Sequence, residues 1–160
     1  MVVDVEGDVL DAAGRRVLLV YAAESRDPAQ VELRKRLEAE FPEWAREYGR
    51  APKGAPGDFW AFRASENFVV CSVFAKTGWA VPGRPDAEAV LRAFGKIVNQ
   101  ARAENEREPG RGEWEVRVVA GVFGGPSAAD AALSRDAAEF CFRDSPVRLC
   151  VYARPRGERP

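Results

Sequence analysis

Residues Trp114 to Gly125, WEVRVVAGVFGG, constrain the fold more than any other stretch of the chain. They read as a strand running straight into a glycine-rich loop. Val116, Val118, Val119 and Val122 are β-branched, and such side chains suit a pleated, buried surface. Gly121, Gly124 and Gly125 follow, and glycine lets backbone approach a neighbour closely. Pro126 or Ser127 then opens a helix, because Ser127-x-x-Asp130 has the spacing of a capping box. A strand, a glycine loop and a helix start in that order aim backbone N–H groups and a helix dipole at one spot, which suits a phosphate. The same pattern also serves as a tight strand-to-helix turn in any α/β domain, so this stretch alone leaves both readings open.

The rest of the chain builds a sheet around it. Val2 to Glu6 is a strand, followed by Gly7-Asp8, Val9-Leu10 and a turn at Ala12 to Arg15. Arg16 to Ala23 is continuously apolar after its first residue, as expected of a strand buried on both faces. Asp27-Pro28 starts a helix, Asp as cap and Pro at the first helical position. Leu33, Leu37, Phe41, Trp44 and Tyr48 form one apolar stripe on it, broken by Pro42 and ended at Gly49. Lys53 to Gly57 is a loop, Phe59 to Phe62 and Phe68 to Phe74 are strands, and Thr77 to Pro85 is irregular. Asp86 caps a second helix whose inner face is assigned to Val90, Leu91, Phe94, Ile97, Val98 and Ala101. Arg102 to Glu113 reads as a charged, solvated connection. A third helix from about Ser127 to Phe142 turns Ala132, Leu133, Ala137, Phe140 and Cys141 inward, and Val147 to Ala153 is the last strand. Helices between strands give an α/β chain: a three-layer α/β/α sandwich on a mixed sheet of about six strands, the last strand internal or nearly so. Phe94, Leu133, Val119 and Val151 are expected to pack together. Residues 1–154 make one domain and 155–160 a polar tail.

Composition narrows function. The 160 residues suffice for a core, and 46% apolar with 31% charged residues is ordinary for a globular domain. With 24 basic and 25 acidic residues the net charge is −1, which argues against a general nucleic-acid-coating surface. Histidine is absent, removing the commonest general base and metal ligand. Cys71, Cys141 and Cys150 lie far apart in apolar runs and form no CxxC pair, so no metal is expected. The thiols read as reduced and buried, consistent with a cytoplasmic protein. Asp4, Glu6 and Asp8 give no signal peptide, and the apolar run Val17 to Ala23 is far too short for a membrane span.

The order of parts resembles the macro domains, the ADP-ribose-recognition family. Gly7-Asp8-Val9 resembles their Gly-Asp-Ile/Leu opening after the first strand. Val119-Ala120-Gly121-Val122-Phe123-Gly124 resembles their second phosphate loop, and Cys150-Val151-Tyr152 their terminal strand with a Tyr beside the adenine. Phe74-Ala75-Lys76-Thr77-Gly78-Trp79 is similar to the Lys-bearing segment of the subgroup holding the terminal ADP-ribose glycohydrolases and the antitoxins that strip ADP-ribose from DNA. Phe41-Pro42, Tyr48 and Pro56-Gly57-Asp58 fit the same layout. The likeness runs from about Val2 to Arg154.

The resemblance implies ligand contacts at Asp8, Val9, Ala120, Gly121, Val122, Phe123, Gly124 and Tyr152. Asp8 would accept from the adenine amino group, Tyr152 would stack on the base, and amides from Ala120 to Gly124 would hold phosphate. The partner implied is ADP-ribose or an ADP-ribosylated macromolecule, nucleic acid only as a modified substrate, with no cofactor, metal or membrane. The chain also departs from the pattern. Glu24 stands where an Asn normally meets the distal ribose, and Gln30-Val31-Glu32, patterned as helix, stands where a Gly-x-Gly loop would be. Phe123 replaces an acidic residue of the glycohydrolase subgroup. Three functions stay open: a binder of ADP-ribose or a related adenine nucleotide, an ADP-ribosyl hydrolase using Lys76 with Glu24 as the nearby carboxylate, and a degenerate macro fold that binds protein.

Overall fold

The computed structural model describes residues 1–23, 25, 27–51, 55, 57–74, 87–120, 122 and 128–153. The chain runs β1 (Val2–Val5), β2 (Arg16–Ala22), α1 (Pro28–Glu40), α2 (Pro42–Tyr48), β3 (Phe59–Ser65), β4 (Phe68–Val73), α3 (Ala87–Arg107), a single 3-10 turn (Pro109–Arg111), β5 (Trp114–Val119), α4 (Ala128–Phe142) and β6 (Leu149–Tyr152). The six strands form one sheet in the order β1-β6-β5-β2-β4-β3. Every pairing is parallel except that of β3 with β4, so β3 is an antiparallel edge and β6 lies one strand in from the other edge. The mixed six-stranded sheet and the near-internal last strand are as the sequence predicts.

All seven residues of β2 are buried, and β4 and β5 flank it. Its side chains alternate between two cores, because successive residues of a strand point to opposite faces. Leu18, Val20 and Ala22 join Val116, Val118, Leu149 and Val151 beneath α3 and α4. Val17, Leu19 and Tyr21 join Val70, Cys150 and Tyr152 beneath α1 and α2. Val119 belongs to this second face, so it is separated by the sheet from Phe94 and Val151, with which the sequence grouped it. The side chain of Leu133 lies outside the described residues.

Local signals explain most of the elements. Asp27 Oδ1 accepts from the Ala29 amide at 3.4 Å and Pro28 opens α1. Pro42 divides the stripe into two helices, since the residue before a proline is forced out of the helical region, and Phe41 sits at φ −129° and ψ 76°. Trp44, fully buried, stacks on Tyr48 with ring centroids 5.2 Å apart and meets Tyr21 edge-on at 5.7 Å, which seats α2 on the sheet. The strand from Phe59 extends past the expected Phe62 to Ser65 and returns through Glu66-Asn67 as a hairpin.

Three expectations are corrected. The charged connection from Arg102 is helical as far as Arg107, because Ala, Arg and Glu are strong helix formers even with no apolar face to bury. It is also fastened: Asn105 Oδ1 accepts from the Trp114 amide at 2.7 Å, and Glu108 pairs with the buried Arg16 at 3.0 Å. On α3, Leu91 is 38% exposed while Ala93 takes the inner place. On α4, Ala132 is exposed and Phe140 is 69% exposed, whereas Ala137, Ala138 and Phe142 are buried. That helix packs against α3 as well as the sheet, with Phe142 meeting Phe94 edge-on at 6.1 Å, and this turns its buried stripe away from Phe140. Asp86 and Ser127, expected as caps, and the stretch 77–85 lie outside the described residues.

Phe94 is fully buried at the centre of the α3–α4 core. Phe94→Ala is expected to lower unfolding free energy by about 3–5 kcal/mol, the range for deleting a buried aromatic ring. A urea titration measures it, and an unchanged midpoint would contradict this packing.

Candidate functional site

Five parallel strands place the C-terminal ends of β1, β2, β4, β5 and β6 along one edge of the sheet. In open α/β sheets ligands bind beyond such ends. The segments that leave this edge contain nearly all the residues singled out from the sequence. Of these, Glu24, Lys76, Gly121, Phe123 and Gly124 lie outside the described residues. Asp8, Val9, Ala120, Val122 and Tyr152 are described, and the fold brings them to the β1–β6–β5 part of this edge.

The connection from β1 to β2 carries Asp8. Gly7 precedes it at φ 129°, a conformation side chains rarely adopt. Asp8 Oδ1 accepts from the Leu10 amide at 3.0 Å, and its carbonyl accepts from the Asp11 amide at 3.0 Å, closing a turn. Oδ2 meets Arg36 of α1 at 2.6 Å. The Arg36 guanidinium is the main reason the Asp8 carboxyl is held below the usual carboxylate range, with burial opposing it and the Leu10 amide assisting. Side chains 48% and 37% exposed make this a solvated pair, the kind that contributes little to stability and yields readily. Val9 is buried beside Tyr152 in the core under this connection.

What holds the connection down is Arg117 on β5. Its side chain is 4% exposed. Nη1 donates to the Val9 carbonyl at 3.0 Å and the Asp11 carbonyl at 2.6 Å, and Nε donates to Glu115 Oε2 at 3.3 Å. The Arg117 guanidinium also lies over the Tyr152 ring, 5.2 Å from its centroid. Glu115 Oε2 accepts from the Cys150 thiol at 3.0 Å, and Arg15 reaches Oε1 at 3.4 Å. Burial first, and Glu115 next, push the Cys150 thiol up to about 12, and burial alone pushes Cys71 up to about 12. Neither is a thiolate near neutral pH, so neither can serve as a nucleophile there.

Tyr152 pairs with Val119 on one side and Val5 on the other and is 7% exposed. The Ala120 amide donates to the Tyr152 carbonyl at 2.8 Å, so that N–H is spent on the sheet and is not offered to a phosphate. Val122 is 3% exposed and anchors the loop in the α3–α4 core. Gln30-Val31-Glu32 is the first turn of α1, as its pattern predicts. Gln30 is 1% exposed, and its Oε1 accepts from the Ala22 amide at the end of β2 at 3.0 Å. Among the described residues its Nε2 has no partner. No group of three or more Cys, Asp and Glu among the described residues could hold a metal ion, and no helix among them is long and apolar enough to cross a membrane.

No protein-family profile matches the sequence, and no curated protein resembles it in sequence. Its backbone, however, follows known structures closely. The macrodomain of Thermus aquaticus DarG matches with a TM-score of 0.68 at 14% identity, over 95% of this chain and 97% of that one. The fold is that of a macrodomain. The macrodomain of Mycobacterium tuberculosis DarG gives a TM-score of 0.68 at 15% identity, over 97% of this chain and 98% of that one. Thermosipho africanus DarTG, solved in complex with ADP-ribose, gives 0.59 at 12% identity, covering 92% of this chain and 40% of that one.

Three residues of this edge escaped the reading of the sequence: Arg36, Glu115 and Arg117. A signal existed for the last two. Two opposite charges two apart in a central strand share one face and must be covered or paired. Arg36 had none, being a charged residue on a helix, and Gln30 was singled out only for standing in place of a Gly-x-Gly loop, its bond to the Ala22 amide being unforeseen.

Two outcomes follow from this geometry. Arg117→Met leaves Glu115 buried without its main partner and frees the buried Val9 carbonyl and the part-buried Asp11 carbonyl, and should cost about 3–5 kcal/mol of stability. Replacing both charges, as in Glu115→Leu/Arg117→Met, should cost less. Denaturant midpoints that rank the two variants otherwise would refute the clamp. Asp8, with its folded pKa depressed, adds stability above its ordinary value of 3.8 that is lost as pH falls through the lower folded value. In Arg36→Ala the Asp8 carboxyl should titrate nearer its ordinary value, read from carboxyl carbon shifts across an acid titration.

Proposed function

We propose that this chain is a binding module for ADP-ribose or a related adenine nucleotide. One observation carries the reading: Arg117 holds the carbonyls of Val9 and Asp11, on either side of the turn that Asp8 opens, and lies over the Tyr152 ring, and in chain order the Gly121–Gly124 segment follows the same strand, β5. Asp8 presents a carboxylate at the surface for the adenine amino group, and the half-exposed pair with Arg36 gives way or shares. Tyr152 and Val9, both buried, back the connection that carries Asp8. Amides from Gly121 to Gly124 take the phosphates. A macrodomain fold shared with a protein solved with ADP-ribose supports this choice of ligand. The module comprises residues 1–154 and acts in the cytoplasm on free ADP-ribose or on an ADP-ribosylated macromolecule.

Calorimetry with ADP-ribose is the direct test. Wild type should release heat. Asp8→Ala should weaken binding about tenfold or more, the scale of one hydrogen bond to a charged group. Gly121→Glu should abolish binding with the fold retained, since it sets a carboxylate against the anion. No heat from wild type at millimolar ADP-ribose ends this reading and leaves a macrodomain fold that binds protein.

Hydrolysis through Lys76 is a separate question of the same site. Lys76 follows the apolar strand β4 by three residues, and a desolvated lysine there can attack an anomeric carbon. With Phe123 in place of an acidic residue and no histidine in the chain, turnover should be slow or nil, and ADP-ribose binding should survive Lys76→Ala. Borohydride trapping of an adduct on wild type and not on Lys76→Ala would establish the lysine as nucleophile.

A further inference from the structure

The opposite edge of the sheet, where β2, β5 and β6 begin, holds a cavity of about 380 Å³, space for about a dozen waters at about 30 Å³ apiece. Arg15, Arg16, Arg111 and Arg148 line it, against two carboxylates, Glu113 and Glu115. Glu115 is already engaged by Arg15, Arg117 and Cys150. The lining itself thus carries four guanidiniums against two carboxylates, with Glu108 and Glu66, outside the lining, pairing Arg16 and Arg111.

Two of these arginines have bonding capacity left over. Arg148 is exposed, and its side chain makes no hydrogen bond or ion pair among the described residues. Arg16 is 7% exposed, its guanidinium carbon over the Trp114 ring at 4.4 Å from the centroid, with that of Arg63 at 5.6 Å from the same ring. Its Nη2 bonds Glu108 at 3.0 Å, while Nε and Nη1 have no partner. Both nitrogens are sealed from solvent, so Arg16 acts on an anion in the cavity through its incompletely neutralised charge, which is costly to bury alone. Arg111, paired with Glu66 and Glu108, closes the far wall. Several arginine forks around a concavity suit a phosphate, whose oxygens can accept paired N–H groups on more than one side.

We propose that this cavity is a second ligand site, distinct from the macrodomain edge, for a small molecule bearing a phosphate or polyphosphate group. A concave pocket with mixed-sign rims favours a compact anion over a nucleic-acid backbone, which needs a broad basic face. Inorganic phosphate and tripolyphosphate are the probes, followed by calorimetry and by backbone and indole amide shifts. Tripolyphosphate should bind more tightly than phosphate and should shift Gly112, Glu113 and the Trp114 indole. Arg148→Gln, which disturbs no contact within the fold, should weaken it about tenfold and leave the ADP-ribose response unchanged. Arg16→Met should weaken it further. The proposal fails if millimolar tripolyphosphate shifts none of these amides, if the shifts fall at Val119 and Tyr152 instead, or if Arg148→Gln binds as wild type. It fails equally if a single-stranded oligonucleotide shifts them and tripolyphosphate does not. Because the readout is local to this edge, failure here leaves the ADP-ribose reading untouched, and the converse holds.

Discussion

A guanidinium sealed from water at the middle of a sheet face is the constraint from which the functional edge takes its shape. Arg117 is answered by a carboxylate two residues away, by two carbonyls from the β1–β2 connection, and by the face of Tyr152. The strand order explains why the carbonyls come from there. β1 is the edge strand and β2 is central, with β6 and β5 between them, so the connection must cross both strands to reach β2. It crosses on the face where Glu115, Arg117, Cys150 and Tyr152 point. Arg117 thus meets backbone oxygens where a helix would have offered only apolar side chains. A chain segment that would otherwise be surface loop becomes a fixed platform, and Asp8 is mounted on it.

The alternation within β5 divides labour between the two faces. Trp114, Val116 and Val118 face α3 and α4 and build an ordinary apolar core. Glu115 and Arg117 face the connection, and only Val119, at the ligand edge, returns that face to apolar packing. Stability and site construction are therefore drawn from opposite sides of one six-residue strand. The same strand also separates the two ends of the molecule. Its first residue, Trp114, lies under the arginines of the basic cavity, and its last, Val119, pairs with Tyr152 at the macrodomain edge.

How much of this was legible follows from where each feature's cause resides. The strands and α1 were plain, because β-branched runs and an Asp-Pro start act within a few residues. The antiparallel edge was not, since the Glu66-Asn67 turn joins strands that no single run distinguishes from parallel ones. The inward faces of α3 and α4 were read from one helix at a time. Leu91 and Phe140 were misplaced because the two helices also bury surface against each other, which no periodicity within one helix encodes. Asp8 and Tyr152 were found through family likeness of short motifs. The buried pair of Glu115 and Arg117, which holds the connection beside Asp8 and covers the Tyr152 ring, was passed over because β5 was read for its valines alone. Arg16 shows the same blindness in reverse: it was taken as the start of an apolar run, yet its charge is kept by Glu108, 92 residues away, and by Trp114.

Gln30 bears most on what the macrodomain edge can bind. Where a glycine-rich loop would offer bare amides to a pyrophosphate, this chain enters α1 at Pro28, and the third helical residue sends its side chain back to cap β2. The Ala22 amide, at the end of the central strand, is thereby satisfied by protein and withdrawn from any ligand. Gln30 keeps one buried donor, Nε2, with no partner among the described residues. A side-chain amide replaces several backbone amides, and a neutral donor fixed at one point is a weaker and more directional anion partner than a row of N–H groups. Phosphate recognition on the proposed reading then falls chiefly on the loop after β5. That loop starts from a strand end held by the Ala120 amide and by the buried Val122. The end that carries Asp8 and Tyr152 is braced by Arg117 through the Val9 and Asp11 carbonyls and the Tyr152 ring, so on the proposed reading ligands should be ranked by their base more than by the length of their phosphate chain.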